Sequence, residues 1–259
     1  MGLGFKTIPI KTPEQVECMR RSCQAVAEVR DELCKAIAPG MTTQDVDRYA
    51  AELIAKKGAK SAFLGYRNFP GTICISVNDE VVHGVGNATR RLMYGDFVKL
   101  DVGLVLNGWI GDTAVSVGVG VVSNEIERLK QATERALEAA IAQAREGNRV
   151  GDISATVEGS AIKAGYTIVR DFVGHGVGRE LHEEPEIPNY GKAGTGPKLK
   201  AGMTLAIEPM LNMGRSEVRL LEDGWTIATV DGRPSAHFEH TILVTKGEPE
   251  ILTISQAYV

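Results

Sequence analysis

Five acidic or imidazole side chains lie in otherwise apolar stretches of this sequence, and all are types that bind divalent cations. An isolated buried charge costs several kcal/mol even after the protein relaxes, and neighbouring carboxylates raise one another's pKa. Two divalent cations would neutralise four carboxylates and accept both oxygen and nitrogen ligands. The pattern therefore predicts a dinuclear metal site, provided that the five residues meet in the fold. They are Asp101, Asp112, His175, Glu208 and Glu239.

A predicted hairpin brings the first two carboxylates together. Its sequence is "FVKLDVGLVLNGWIGDTAVSV", in which two alternating apolar runs flank Asn107-Gly108, a strong signal for a two-residue type I′ turn. Such a turn pairs Asp101 with Ala114 and puts Asp112 on the same face as Asp101. Diagonal neighbours lie at most ~7–8 Å apart, and two-metal hydrolytic sites hold their ions roughly 3.5–4 Å apart. Both carboxylates could therefore bind the same pair of ions.

Each of the five residues also has an ordinary structural explanation. A single Asp or Glu near a glycine-rich turn is usually solvated, and this face of the hairpin could simply face water. A single His is more often a hydrogen-bonded structural residue than a ligand. Lys99 is the one basic residue that could share a face with these carboxylates. The metal hypothesis depends on the joint pattern rather than on any single position.

The first half of the chain is predicted to begin with two helices. Thr12-Pro13-Glu14-Gln15 is a capping box with proline at the first helical position, and the helix it opens ends before Gly40. A second helix starts at Thr43 and stops at Gly58. Short strands then lead into the hairpin.

The same order of elements returns in the second half. A long helix begins at Ser123 and is predicted to stop at Gly147, and a second helix follows over about 151–164. At an offset of 107 residues, Gly40 corresponds to Gly147 and Asp101 to Glu208.

We interpret this recurrence as an ancestral duplication within one domain over residues 1–259, with pseudo-repeats at about 12–117 and 123–245. The expected architecture is α/β, with two sheet halves facing each other and helices on the outer side. Pockets commonly form at such interfaces, so the chemistry is expected between the halves.

Composition and cysteine content argue against several other classes of protein. The chain has 259 residues, 43% hydrophobic and 24% charged, with a formal net charge of −4, which is typical of a soluble globular protein and not of a general nucleic-acid binder. It contains no apolar run near ~18 residues and no apolar stretch typical of a signal peptide. The spacing of its four cysteines does not suit a zinc site, and reduced thiols of a cytosolic protein are expected. They are Cys18, Cys23, Cys34 and Cys74.

Seven motifs between residues 73 and 245 resemble one known family, and the resemblance runs over about residues 5–248. They are "ICISVNDEVVHG", "KLDVG", "NGWIGDTA", "VGHGVGRELHEEP", "LAIEPM", "DGWT" and "FEHTILVT". The sequence resembles the type I methionine aminopeptidases, which share with creatinases and prolidases the pita-bread fold, a curved, mainly antiparallel sheet with helices on its outer face. The family's metal-binding positions fall on the same five residues found above, and its two substrate-contacting histidines fall on His83 and His182.

The resemblance implies hydrolytic removal of the initiator methionine from nascent chains when the second residue is small. A metal-activated water would attack the scissile carbonyl, with Glu208 moving the proton while also binding metal. His182 would bind the substrate near the scissile amide, and His83 would stabilise the tetrahedral intermediate or the leaving amine. Four residues would form the apolar pocket for methionine, although ordinary core packing is the competing explanation. They are Tyr66, Phe69, Cys74 and Trp225.

Other expectations concern the cofactor and the cellular setting. The two ions could be Co, Mn, Fe or Zn, since Asp, Glu and His suit all four. The expected partners are the N-termini of nascent polypeptides near the ribosome, with no membrane and no specific nucleic acid, and a monomer in the bacterial cytoplasm is expected. The chain matches the short form, without the N-terminal zinc-finger extension or the type II insertion between His182 and Glu208. Departures from the family pattern at Phe63, Ile110 and Leu181 are expected to affect the shape of the pocket.

Two alternatives stay open at this stage. Another pita-bread peptidase, such as an Xaa-Pro aminopeptidase, would share the ligand set but usually carries a large additional N-terminal domain. A non-catalytic binding protein of the same fold would typically have lost some of the metal ligands.

Overall fold

The computed structural model describes residues 7–255, so both ends of the predicted domain, residues 1–6 and 256–259, lie outside the described residues. The helices are α1 Pro13–Ala36, α2 Thr43–Lys56, α3 Asn124–Ile141 and α4 Val150–Ala164. The first strands are β1 Lys60–Ser61, β2 Cys74–Val77, β3 Glu80–Val82, β4 Phe97–Leu106, β5 Trp109–Gly118, β6 Thr167–Ile168 and β7 Val173–Gly176. The others are β8 Glu183–Pro188, β9 Thr204–Ile207, β10 Met210–Asn212, β11 Val218–Leu220, β12 Ile227–Thr229, β13 Ser235–His237, β14 Glu239–Leu243 and β15 Glu250–Ile251.

The predicted helix starts are confirmed by their caps. The Thr12 hydroxyl accepts a hydrogen bond from the Gln15 N–H (3.3 Å), and the Gln15 side chain accepts one from the Thr12 N–H (3.0 Å). At α3 the Ser123 hydroxyl caps the helix by accepting from the Ile126 N–H. These side chains supply partners for N–H groups that have none within the helix.

The predicted end of α3 is wrong by about one and a half turns. The helix stops at Ile141 and not near Gly147, because the following N–H groups bond three residues back instead of four: Gln143 to Ala140 and Ala144 to Ile141. This tightening ends the helix. Gly147, with φ of 99°, belongs to the next turn.

The prediction of an α/β fold with a mainly antiparallel sheet is confirmed. A nine-stranded sheet runs in the order β1-β4-β5-β14-β9-β7-β8, with β2 also paired to β4 and β15 to β14. All its pairings are antiparallel. Two three-stranded sheets complete the described fold, β13-β10-β6 and β11-β12-β3.

The predicted hairpin is confirmed residue by residue. Asn107 and Gly108 have φ of 53° and 75°, the positive values that a type I′ turn requires at both central positions. Asp101 pairs with Ala114 and Leu106 with Trp109. The Asn-Gly pair therefore fixes which residues of β4 and β5 face each way.

Helices cover one side of each half of the large sheet. Leu100 of β4 packs in one apolar cluster with Val26 of α1, while Leu205 of β9 packs with Leu129 of α3 and Ile153 of α4. Fully burying one such side chain contributes about 1.5–3 kcal/mol. The alternate residues of β4 and β9 point to the other side, where the charged residues lie. No helix among residues 7–255 combines the length and the apolar character needed to cross a membrane.

Corresponding backbone contacts recur in the two halves. The Gly40 N–H donates to the Leu92 carbonyl (2.8 Å), and the Gly147 N–H donates to the Leu199 carbonyl (3.1 Å). Donor and acceptor are both displaced by the same 107 residues. We propose on this ground that the two halves derive from a duplication.

Candidate metal centre

The five candidate ligands come from five neighbouring positions in the large sheet. Asp101 lies in β4, Asp112 in β5, Glu239 begins β14, Glu208 directly follows β9, and His175 lies in β7. These strands are consecutive in the sheet order β4-β5-β14-β9-β7. Residues that are up to 138 positions apart in the chain thus become neighbours across the strands.

The strand register puts the three candidates on the adjacent strands β4, β5 and β14 on one face. Ala114 pairs with Asp101 on one side and with Glu239 on the other. Directly paired residues point to the same face, as do residues two apart on one strand, so Asp112 joins them. Because alanine carries only a methyl group, the space above Ala114 stays free between the carboxylates.

Ala206 relates the other two candidates, His175 and Glu208, to the same face of the sheet. Ala206 pairs with His175 on one side and with Thr241, two residues beyond Glu239, on the other. Glu208 is two residues beyond Ala206 and continues the alternation. All five side chains therefore point to the face opposite the helices, and the centre of that face is lined by alanine.

The ligand atoms are close enough to share ions. Candidate atoms of Asp112, His175 and Glu239 all lie within 4.8 Å of one another. The Nε2 atom of His175 is 3.8 Å from Asp112 Oδ2 and 3.5 Å from Glu208 Oε1. Asp101 and Glu208 line the same cavity as these three residues.

The carboxylates are buried without compensating partners. Among the described residues, Asp101 Oδ1, Asp112 Oδ1 and Glu239 Oε1 are buried oxygens that accept no hydrogen bond. Burial raises the pKa of Asp101 to about 7 and that of Glu208 to about 8. Burial, together with the neighbouring carboxylates, raises the pKa of Asp112 and of Glu239 well above the usual range. This is the electrostatic state of a carboxylate cluster that needs cations.

The protonation of His175 suits a metal ligand. Burial lowers the pKa of His175 to about 3, so the ring is neutral and its contacts with Asp112 and Glu208 are not ion pairs. Its Nδ1–H donates to the Gly176 carbonyl (2.9 Å), which leaves the Nε2 lone pair facing carboxylate oxygens. A lone pair and carboxylate oxygens repel one another unless a proton or a cation lies between them. The donor set and its orphaned oxygens therefore fit divalent metal.

Neither nearby basic residue neutralises the cluster directly. The Lys99 amine donates to the Asn78 carbonyl (2.7 Å), burial lowers its pKa to about 7, and the acidic groups acting on it are Glu80, Asp79 and Asp96. Lys99 is therefore held in a different cluster, although it shares the face of Asp101.

The other basic residue, Arg30 of α1, acts from behind the sheet. Its Nη1 donates to the Thr113 hydroxyl (2.9 Å), which donates to the Glu239 carbonyl (2.9 Å). In return, the Thr241 hydroxyl donates to the Asp112 carbonyl (2.8 Å). These bonds hold the backbones of Asp112 and Glu239 together. They add to the pairing of β5 with β14, which has only two residue pairs among the described residues.

An apolar cavity of about 290 Å³ opens beside the carboxylates. Phe69 and Trp225 meet edge to face with ring centroids 5.2 Å apart. Phe63 and Leu181, two of the departures from the family pattern, face the cavity, whereas the third, Ile110, is buried in the core and does not line it. All four predicted pocket residues line this cavity: Tyr66, Phe69, Cys74 and Trp225.

Both predicted substrate-contacting histidines also line the cavity. The Tyr66 hydroxyl lies 2.7 Å from His182 Nδ1, and burial, with a smaller effect of the Arg67 guanidinium, lowers the pKa of His182 to about 4. Burial likewise lowers the pKa of His83 to about 4. Its backbone has φ of 59°, a left-handed conformation that is uncommon outside glycine and is often found at functional sites.

Sequence reasoning missed three residues of the site. Phe172 packs edge to face on His83 (5.2 Å), Arg67 lines the cavity, and His237 approaches Glu208 from the side opposite His175. Alternation could have pointed to His237, since it precedes Glu239 by two residues. Phe172 and Arg67 lie outside the regular strands and gave no periodic signal.

The chain belongs to metallopeptidase family M24, because the sequence model of that family matches residues 17–246. Membership implies that the protein binds divalent metal. The fold is the pita-bread fold that solved members share.

Individual relatives agree with this assignment. The chain is 45% identical over 247 residues to the methionine aminopeptidase of Clostridium perfringens, covering 95% of this chain and 99% of the relative. The crystal structure of methionine aminopeptidase from Thermotoga maritima matches with a TM-score of 0.93 at 47% identity, over 95% of this chain and 99% of that one. The prolidase from Pyrococcus furiosus matches with a TM-score of 0.78 at 23% identity, over 95% of this chain and 66% of that one, which shows a common fold only.

Proposed function

We propose that this protein is a methionine aminopeptidase that removes the N-terminal methionine of nascent chains when the second residue is small. The observation that carries the proposal is the convergence of four carboxylates and a neutral imidazole beside an apolar cavity, with Asp112 and Glu239 buried and Asp101 and Glu208 half-buried. Its support from relatives is broad, because those named methionine aminopeptidase match over nearly their whole length.

The same five residues would hold two divalent ions in this proposal. Four carboxylates and one imidazole nitrogen would supply the ligand atoms: Asp101, Asp112, Glu208, Glu239 and His175. When bound, a pair of divalent ions supplies Lewis acidity and lowers the pKa of water at the site. Divalent Mn, Fe, Co and Zn all suit this set of ligands, which consists of carboxylate oxygens and a single imidazole nitrogen.

The protein's own residues would bind the substrate and move the proton. The methionine side chain would enter the cavity against Phe69 and Trp225; a volume of about 290 Å³ is near the lower limit of ~300–1,000 Å³ for ligand sites and suits a single side chain. Glu208 would accept and return the proton, since it lines the cavity together with the other four candidate ligands. His182 and His83 would donate hydrogen bonds near the scissile amide.

The test is methionine release from Met-Gly-Met-Met by metal-stripped protein after addition of Co(II), Mn(II), Fe(II) or Zn(II). Release with at least one metal is expected, with Met-Leu-Met-Met cleaved far more slowly because of its bulky second residue. No release with any of these metals would refute the proposal. Cleavage of Ala-Pro peptides in place of Met-Gly peptides would instead assign the Xaa-Pro activity.

Two variants test the ligand assignment within that assay. Asp112→Ala should abolish both Mn(II) binding and methionine release, because it removes the carboxylate at the centre of the cluster. Glu52→Ala, which removes an exposed carboxylate of α2, should change neither. An active, metal-binding Asp112→Ala protein would show that the ligand set is wrong.

The cellular setting is part of the same proposal. The relatives come from bacteria, and all four cysteines are free, which suits a reducing compartment. We expect a monomer acting in the bacterial cytoplasm on chains that emerge from the ribosome. Sedimentation velocity would contradict the monomer if it gave twice the mass of the 27.8 kDa chain.

A further inference from the structure

His237 is a buried imidazole beside the candidate metal centre that none of the five ligand positions includes. It ends β13, and only 1% of its surface is exposed. Its Nε2 atom is 3.6 Å from Glu208 Oε2, and neither of its ring nitrogens has a hydrogen-bond partner within the part of the chain that the structure describes. A buried polar group left unpaired costs ~1–3 kcal/mol, so an unpartnered imidazole here calls for an explanation.

The backbone holds the His237 ring in this place. Its N–H donates to the Ser116 hydroxyl (3.0 Å), and that hydroxyl lies 2.7 Å from the His237 carbonyl, to which it donates. His237 also pairs with Met210 of β10. Because Ser116 lies on β5, four residues beyond Asp112, these bonds tie the imidazole to a strand that carries a candidate ligand.

Glu208 lies between two imidazoles, with one carboxylate oxygen towards each. Oε1 is 3.5 Å from His175 Nε2, and Oε2 is 3.6 Å from His237 Nε2. The His175 Nε2 carries no proton, since its Nδ1–H is used by Gly176. Glu208 Oε1 and the His175 Nε2 lone pair therefore face the same space, which suits a cation. Glu208 Oε2 faces the His237 ring, which can donate an N–H.

We propose that His237 is a positioning residue of the metal centre, whose Nε2–H donates to Glu208 Oε2 and directs Glu208 Oε1 to the ion beside His175. The inference rests on the proposed metal centre. The separation of 3.6 Å exceeds hydrogen-bond length, so the proposed bond requires a small rotation of the Glu208 carboxylate towards His237. Residues that orient metal ligands typically change metal affinity by about 10–100-fold when removed.

The test measures Co(II) binding by metal-free protein, with titration calorimetry for affinity and visible absorption for coordination. His237→Leu is expected to weaken Co(II) binding by about 10–100-fold and to alter the absorption bands. His237→Gln can place an amide N–H at similar reach and is expected to restore affinity to within a few-fold. His237→Asn is too short and is expected to behave like Leu, which keeps the test available if the Leu variant does not fold.

A matched control is His240→Leu. His240 is the other histidine of this segment, and its Nδ1 bonds the Thr253 hydroxyl (2.8 Å) on the helix side of the sheet. This variant removes a half-buried imidazole on the face opposite Glu208, so Co(II) affinity and spectrum should stay near those of the wild type.

Two results would overturn the inference. Unchanged Co(II) affinity and spectrum in both His237→Leu and His237→Asn would show that the imidazole does not act on the centre. Equal weakening in the Leu and Gln variants, with loss of a nitrogen ligand from the spectrum, would make His237 a direct ligand instead. Failure of the proposed function would show separately, as wild-type protein that binds Co(II) but releases no methionine.

Discussion

Divalent metal should displace protons from the buried carboxylates, and the number can be worked out from their pKa values. Burial raises the pKa of Asp101 to about 7 and that of Glu208 to about 8. At pH 7 these groups hold about 0.5 and about 0.9 proton, or about 1.4 protons together. The total is about 1.9 at pH 6 and about 0.6 at pH 8. These are minimum values, since the pKa of Asp112 and of Glu239 are also raised.

The sign of the pH dependence follows from the direction of these pKa shifts. A carboxyl group whose pKa is raised on folding stabilises the metal-free protein at low pH, and this contribution is lost as the pH rises through the folded pKa. Metal needs the ionised form. The apparent affinity for metal should therefore rise steeply from pH 6 to about pH 8 and then level off.

The assay is titration calorimetry of metal-free protein with Mn(II) in buffers of equal pH but different ionisation enthalpy. The slope of observed enthalpy against buffer enthalpy gives the protons released, expected as at least about 1.4 at pH 7. Glu208→Gln removes one of the two groups and should lower the value by about 0.9. Tight Mn(II) binding by the wild type with a slope near zero at pH 7 would show that the empty site already carries ionised carboxylates, and the burial argument would fail.

Two further predictions concern single side chains. Tyr66→Phe removes the hydroxyl next to His182 Nδ1; since one hydrogen bond is worth about 1 kcal/mol, kcat/KM on Met-Gly-Met-Met should fall roughly fivefold with Mn(II) affinity unchanged, and an unaltered kcat/KM in steady-state assays would contradict this role. Arg30→Met leaves Asp31 as an unpaired buried carboxylate and should lower the free energy of unfolding in urea by about 3–5 kcal/mol. The half-exposed ion pair removed by Arg20→Met should cost no more than about 1 kcal/mol, and equal losses in the two variants would refute the argument.

Helix starts and the hairpin were predicted well from the sequence, because caps and turns depend on residues that are neighbours in the chain. The capping box at Thr12 and the cap at Ser123 start helices where expected. The Asn107-Gly108 turn sets the register of β4 and β5 through two positive φ values. The end of α3 was misplaced because the helix ends in a turn of three-residue hydrogen bonds, and no stop residue in the sequence marks this.

Only part of the candidate site could be predicted from the sequence. Asp101 and Asp112 could be brought together by the hairpin alone. Glu208 was reached through the repeat, and His175 and Glu239 through their own sequence context, but their meeting with the hairpin carboxylates could only be assumed, because their neighbours come from distant parts of the chain. His237 was missed since its environment depends on β10 and β5 rather than on β14, which follows it.

The sequence by itself determined which residue types alternate on each strand, where helices begin, and which side chains stand as charges among apolar neighbours. Those features arise from backbone preferences and side-chain contacts within a few residues. Only the tertiary structure decided that β14 lies between β5 and β9, that Ala114 and Ala206 leave room above the sheet, and that burial raises the pKa of the carboxylates. The physical reason is that strand order and loss of solvent depend on the packing of segments more than a hundred residues apart, which no local pattern encodes.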